Sequence, residues 1–349
     1  MTLALGQVDS GYALALAVVV AAIYIVLVRF LDLNEKEPLW AIGVAFAFGA
    51  VGAGAVHLLV DSTTLSLNFF WGPFWSETGR FLGLAAAVGV FTGISRWRGF
   101  SEFAGLLDGI VYGTAAGLGF ATAEVLVREL STSSSLIDGV TSSPGSDLWS
   151  ALLTGLSDGM FGAIAGAFFG VAVISRHKSM RWVLPLAGFL AAVGAHVLYT
   201  ELAQGDALAG GAATFRKWLA LLLPLVALGV VAVMDLKRES EAIKTNLADE
   251  VAAGVVTQNE YEALTNLGRR RSEHMSHFFG FDFDGWAALR SLHNLQVQLA
   301  LAKDRLHHET DPAGRAEIEA ECAVLRGTIA QARELYVARR GRGNQGVTV

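Results

Sequence analysis

Seven stretches of the chain are mainly apolar over about the 20 residues a helix needs to cross the roughly 30 Å hydrocarbon core of a bilayer. They cover residues 11–30, 40–60, 70–95, 103–130, 148–175, 182–203 and 214–234. Past residue 235 the pattern changes. From Trp286, WAALRSLHNLQVQLALAKDRLHHE places apolar residues at three- and four-residue spacing, the period of an amphipathic helix. ETDPAG then turns the chain, with Pro312 as a helix start, and AEIEAECAVLRGTIAQARELYVARR reads as a second amphipathic helix. Before them, ADEVAAGVVTQNEYEALTNLGRRR forms one or two short helices broken near Gly254. The expected fold is all-α: a polytopic membrane bundle of about seven helices over 1–235, then a helical region over 236–349 that includes an antiparallel hairpin.

Composition agrees with that division. The chain is 53% hydrophobic and 17% charged, with a mean hydropathy of +0.47, values typical of multi-pass membrane proteins. Of 26 Lys and Arg residues, 15 follow Asp235, so the charge is concentrated in the tail. Acidic residues are as frequent there, which argues against nucleic acid as a partner. The single cysteine, Cys322, excludes an intramolecular disulfide and a Cys-rich metal cluster. The first apolar run has no basic segment before it and no small-residue cleavage site after it, so it reads as a retained membrane helix.

The connecting segments set the expected orientation. Residues 61–69, 131–147 and 204–213 contain no Lys or Arg. By contrast, Arg96 and Arg98, then Arg176, Lys178 and Arg181, then Lys237 and Arg238 occupy the alternate connections, while LDLNEKEP after the first helix is mixed. The positive-inside rule places the N-terminus outside and the tail in the cytoplasm, with Arg216 and Lys217 as the discordant pair.

On that topology four ionisable residues from four helices fall at one depth. Glu77, Glu124, Asp158 and His196 lie roughly 10–15 Å below the outer surface at 1.5 Å rise per residue. Such residues normally face a bundle interior or a water-filled cavity. Helix phase points the same way: Gly109, Gly113 and Gly117 repeat every fourth residue and lead to Phe120 and Glu124. Asp158, Gly162, Gly166 and Gly170 repeat the arrangement, and Gly188, Ala192 and His196 share a stripe. Small-xxx-small seams let helices approach closely, so each polar group ends a face aimed at other helices. One such residue alone is as readily an interhelical hydrogen-bonding group; four at one depth point to a site.

Histidine with carboxylates and no thiolate suits a catalytic zinc of three protein ligands and a water, beside which a further carboxylate acts as base. Neither HExxH nor GxSxG occurs, and Ser157 has no evident base. The residues alone leave two possibilities open: a metal-dependent hydrolase, or a transporter using the same carboxylates. The transporter needs a polar path to the inner side, where Asp108 is the evident candidate.

Across about residues 20–200 the chain resembles the PrsW family of intramembrane metalloproteases. FLDLNEKEP (30–38) resembles the family's acidic loop, and PFWSETGR (73–80) sits at its Pro-x-x-Glu-Glu-x-x-Lys. DGIVYGTAAGLGFATAE (108–124) resembles its strongest signature, FxxxE included, and GAHVLYT (194–200) its late histidine motif. The resemblance implies catalytic roles for Glu77 and Arg80, with Glu124, His196 and Asp158 as ligands of Zn2+. It further implies membrane-spanning regulatory substrates of the anti-sigma-factor kind and residence in the bacterial plasma membrane. Ser76, Arg80, Asp158 and Thr200 depart from the family pattern, which keeps a catalytically degenerate, partner-binding relative as the alternative. In the tail, His274, His277, His307 and His308 read as solvated surface histidines. Arg269–Arg271 and Arg339–Arg342 read as solvated charge that touches anionic headgroups.

Overall fold

The computed structural model describes residues 10–31, 37–60, 70–98, 103, 105–132, 144–175, 179–204 and 211–343. These form helices throughout: α1 (Ser10–Leu31), α2 (Leu39–Leu59), α3 (Trp71–Arg98), α4 (Leu106–Thr132), α5 (Pro144–Ile174), α6 (Met180–Gln204) and α7 (Gly211–Ala252). Four more follow: α8 (Gln258–Thr265), α9 (Leu267–Phe279), α10 (Phe283–His308) and α11 (Pro312–Gly343). No strand occurs among the described residues. Each of α1 to α7 holds a stretch long and apolar enough to cross a membrane, as the hydropathy pattern predicts. Of the basic residues that set the expected orientation, Arg176 and Lys178 lie outside the described residues.

The chain divides into two compact units, one of helical segments up to Ala232 and one holding the chain from Val233 onward. In the first, α4 and α5 form the buried centre. Their glycine seams meet face to face: a Cβ on Gly113 would run into the carbonyl oxygen of Gly162, and one on Gly117 into that of Asp158. Backbones this close leave room only for hydrogen at the contact, which is why glycine recurs every fourth residue. The helix α2 closes on the far side of α4 in the same manner, Gly49 lying against the backbone of Ala116. Where α1 hands over to α2, the Arg29 guanidinium donates to the Glu37 carbonyl oxygen at 2.7 Å. The buried Glu37 carboxylate accepts from the Tyr112 hydroxyl of α4.

In the second unit the expected hairpin forms. Leu292, Leu295 and Leu299 of α10 pack on Cys322, Leu325 and Ile329 of α11, and Arg305 bonds Glu321 at 2.8 Å, fixing an antiparallel register. The helix α7 does not stop where hydropathy falls at Asp235: it continues to Ala252, and Ile243 and Leu247 pack on Val297 and Ala300. Gly254 ends that segment with φ +74°, and a capping box of Thr257 and Glu260 starts α8. Three residues expected to be solvated are not. Arg270 is buried, while His274 and His277 are half-buried, with His277 held 2.8 Å from Asp282 and His274 3.2 Å from the buried His293. His307 and His308 are exposed.

Candidate active site

The first turns of α3 carry Glu77 and Arg80 on one face, since residues three apart on a helix are neighbours. Both are buried, at 1% and 2% exposure, in a segment apolar enough to span a membrane. A charged pair there needs partners from other helices. The Arg80 guanidinium supplies them by bridging: Nη1 donates to the Glu77 carboxylate and Nη2 to the Asp158 carboxylate of α5. Its face also lies 4.4 Å from the centre of the Phe120 ring of α4, within cation–π range.

His196 of α6 completes the cluster. Its Nδ1 lies 2.8 Å from Glu77 Oε1 and 3.4 Å from Arg80 Nη1. A carboxylate only accepts, so an Nδ1–H facing Glu77 donates to it. Phe161 of α5 stacks on the imidazole with ring centres 4.5 Å apart and planes 14° from parallel, fixing its tilt. The His196 side chain is 16% exposed against 1% for Glu77, so it is the member that opens to the surroundings.

The structure thus gathers Glu77, Arg80, Asp158 and His196 from three helices. Glu124 of α4 is half-buried and close enough to act electrostatically on both Arg80 and Asp158. Thr200 takes no side-chain part: its hydroxyl donates to the His196 carbonyl oxygen at 3.0 Å, one helical turn back. Ser157 likewise donates to the backbone, to Thr154 at 2.9 Å. The sequence places Phe120 on the face of Glu124 but does not mark Phe161 as a neighbour of His196. Phe120 lay within the quoted FxxxE stretch, whereas Phe161 carried no signal, because which face of α5 meets α6 is not written in the spacing of either helix.

The family model of the PrsW family intramembrane metalloprotease matches residues 37–234, more than half of the chain. The chain belongs to the PrsW family. Neither a curated protein nor a solved structure provides a match. With seven apolar helices, this PrsW-family chain is a multi-pass membrane protein, and its family implies a metal ion.

The donor types suit such a metal, but their arrangement does not. Glu77 and His196 are bonded to each other, and Asp158 is bonded to Arg80. Among the described residues no three of His, Cys, Asp or Glu are grouped so as to hold a metal ion. The cation that balances the carboxylates in this arrangement is the guanidinium.

Proposed function

We propose that the protein is an intramembrane peptidase whose active site is the cluster of Glu77, Arg80, Asp158 and His196, with Glu124 at its edge. In this reading 1–235 is the protease-like domain and 236–349 a cytoplasmic helical tail. The observation that carries it is the meeting, inside apolar spans, of ionisable side chains from α3, α5 and α6, one of which is a half-buried histidine. A purely structural ion pair has no need of that imidazole.

Within the cluster each residue has a task. Glu77 orients His196 through the Nδ1–H bond and takes a proton from the attacking water. Arg80 holds Glu77 and Asp158 ionised and aligned. Phe161 keeps the imidazole in place by stacking on it. The metal that family membership implies would be Zn2+, with Glu124, Asp158 and His196 as its donors, but Asp158 and His196 are engaged by Arg80 and Glu77 in this arrangement. The substrate is a membrane-spanning protein, of the anti-sigma-factor class, cut near the outer boundary.

Co-reconstitution of the full-length protein with single-span membrane proteins in lipid vesicles tests this. Cleavage products, mapped by mass spectrometry, are expected with wild type and absent with Glu77→Gln. Products that persist in Glu77→Gln would contradict the assignment.

A second reading has the Arg80 bridge behind it. If that bridge is permanent, the cluster is structural and the chain acts by binding a membrane partner; Glu77→Gln then leaves its cellular effect intact.

A further inference from the structure

We infer that the cluster of this chain operates without a metal ion, the Arg80 guanidinium serving as its fixed cation. The inference departs from the metal that family membership implies. It rests on the peptidase reading for what the cluster does, but not for what it binds.

Charge is the first ground. Two buried carboxylates from different helices, Glu77 and Asp158, are bridged by one guanidinium, Nη1 on the former and Nη2 on the latter. Buried carboxylates need a cation close by, and here the chain supplies it covalently. A divalent ion brought beside Arg80 would meet a like charge in a site of low dielectric, where repulsion is strongest.

Donors are the second. A catalytic zinc takes three protein ligands at about 2.0–2.2 Å. Among the described residues no three of His, Cys, Asp or Glu are so grouped. The imidazole of the cluster is itself spoken for, its Nδ1 lying 2.8 Å from Glu77.

Confinement is the third. Arg80 is 2% exposed, and the Phe120 ring covers its face at 4.4 Å. Around it α3 is seated closely: a Cβ on Gly79 would stand 2.7 Å from both Phe120 and Val56. The guanidinium therefore has no nearby solvent into which to withdraw, and its departure would strand two buried carboxylates.

Peptide hydrolysis balances without a metal. A water oxygen bonds the carbonyl carbon as its proton passes to Glu77 and the carbonyl π pair moves onto oxygen. Return of that pair breaks the C–N bond, and the proton on Glu77 passes to the leaving nitrogen, giving an acid and an amine.

Metal content of the full-length protein, purified without chelators and read by elemental mass spectrometry, tests this. Equal zinc in wild type and His196→Ala is expected, which sets aside any zinc held by tail histidines. About one zinc per chain in wild type that is lost in His196→Ala overturns the inference. A second readout covers the case in which that variant misfolds. Added Zn2+ is expected to leave the thermal midpoint of wild type where it leaves that of Asp158→Asn, since a ligand that binds the folded state raises it. A rise in wild type that Asp158→Asn lacks overturns the inference. In vesicles, cleavage of a single-span substrate is expected to continue at an unchanged rate with 1,10-phenanthroline. Cleavage that stops with the chelator and returns with Zn2+ sustains the peptidase reading while overturning this one. Absence of cleavage under every condition does the reverse if the metal content and midpoints fall as expected.

Discussion

His196 Nδ1 lies 2.8 Å from Glu77 Oε1, joining α6 to α3 across 119 residues of sequence. The contact pairs the most exposed member of the cluster with one of its most buried, and so ties whatever meets the imidazole to a charge network reaching Asp158.

Removing the Glu77 carboxylate while keeping its shape separates base from scaffold. Glu77→Gln is expected to lower the cleavage rate by roughly 10²–10⁴-fold, the range for a positioned general base. The helical circular dichroism of the protein is expected to stay unchanged. Rates measured on any substrate cut by wild type check this.

The Arg80–Asp158 pair is buried on both sides, so breaking it strands a charge. Arg80→Ala or Asp158→Ala is expected to destabilise by about 3–5 kcal/mol, and the double variant by clearly less than the sum. Unfolding free energies of the four proteins in one mild detergent give the coupling. An additive result would mean that the bridge contributes nothing in the folded protein.

The α4–α5 seam predicts a contrast between two glycines. Gly113→Ala drives a methyl into the Gly162 backbone and is expected to cost about 1–3 kcal/mol, as overpacking does. At Gly89 an added methyl meets no atom within 4 Å, so Gly89→Ala is expected to be neutral. Thermal midpoints measured side by side decide it.

In the second unit, burial pushes the His293 pKa well below the usual histidine value, with Arg270 and His274 acting in the same direction. The folded state therefore keeps the ring neutral while the unfolded chain protonates near pH 6.5. The stability it confers is full above that pH and falls as pH drops below it, with a slope approaching about 1.4 kcal/mol per pH unit. Protection factors in α9 and α10 of the full-length protein, hydrogen-exchange rates divided into the intrinsic rate at each pH, are expected to fall from pH 7.5 to 5.5. His293→Leu removes that dependence.

Much of this architecture was legible beforehand, for identifiable reasons. Span number follows from hydropathy alone, since the bilayer sets helix length. The glycine repeat at 109, 113 and 117 announced a close helix contact, and α5 supplied its partner at the same spacing. Lateral relations were not legible. The i,i+3 placement of Arg80 beside Glu77 could be read off α3, but its reach to Asp158 depends on how α3 sits beside α5. An arginine within an apolar span was itself a signal that a second carboxylate must be near, because one partner in so apolar a setting leaves its other donors unmet. Hydropathy marks where the seventh span ceases to be apolar, not where backbone hydrogen bonding stops, and α7 runs on to Ala252. Arg270, His274 and His277 looked solvated because polar residues usually are; their burial follows from the packing of α9 on α10, which no single-helix pattern records.

The proposed activity of the Glu77–His196 cluster is cutting membrane-spanning proteins near the outer end of their helices. The most direct measurement compares the new protein N-termini in membranes of cells carrying wild type, Glu77→Gln or His196→Ala. N-termini within or just outside the outer third of membrane spans are expected only with wild type. Identical sets of N-termini in the three strains would contradict it.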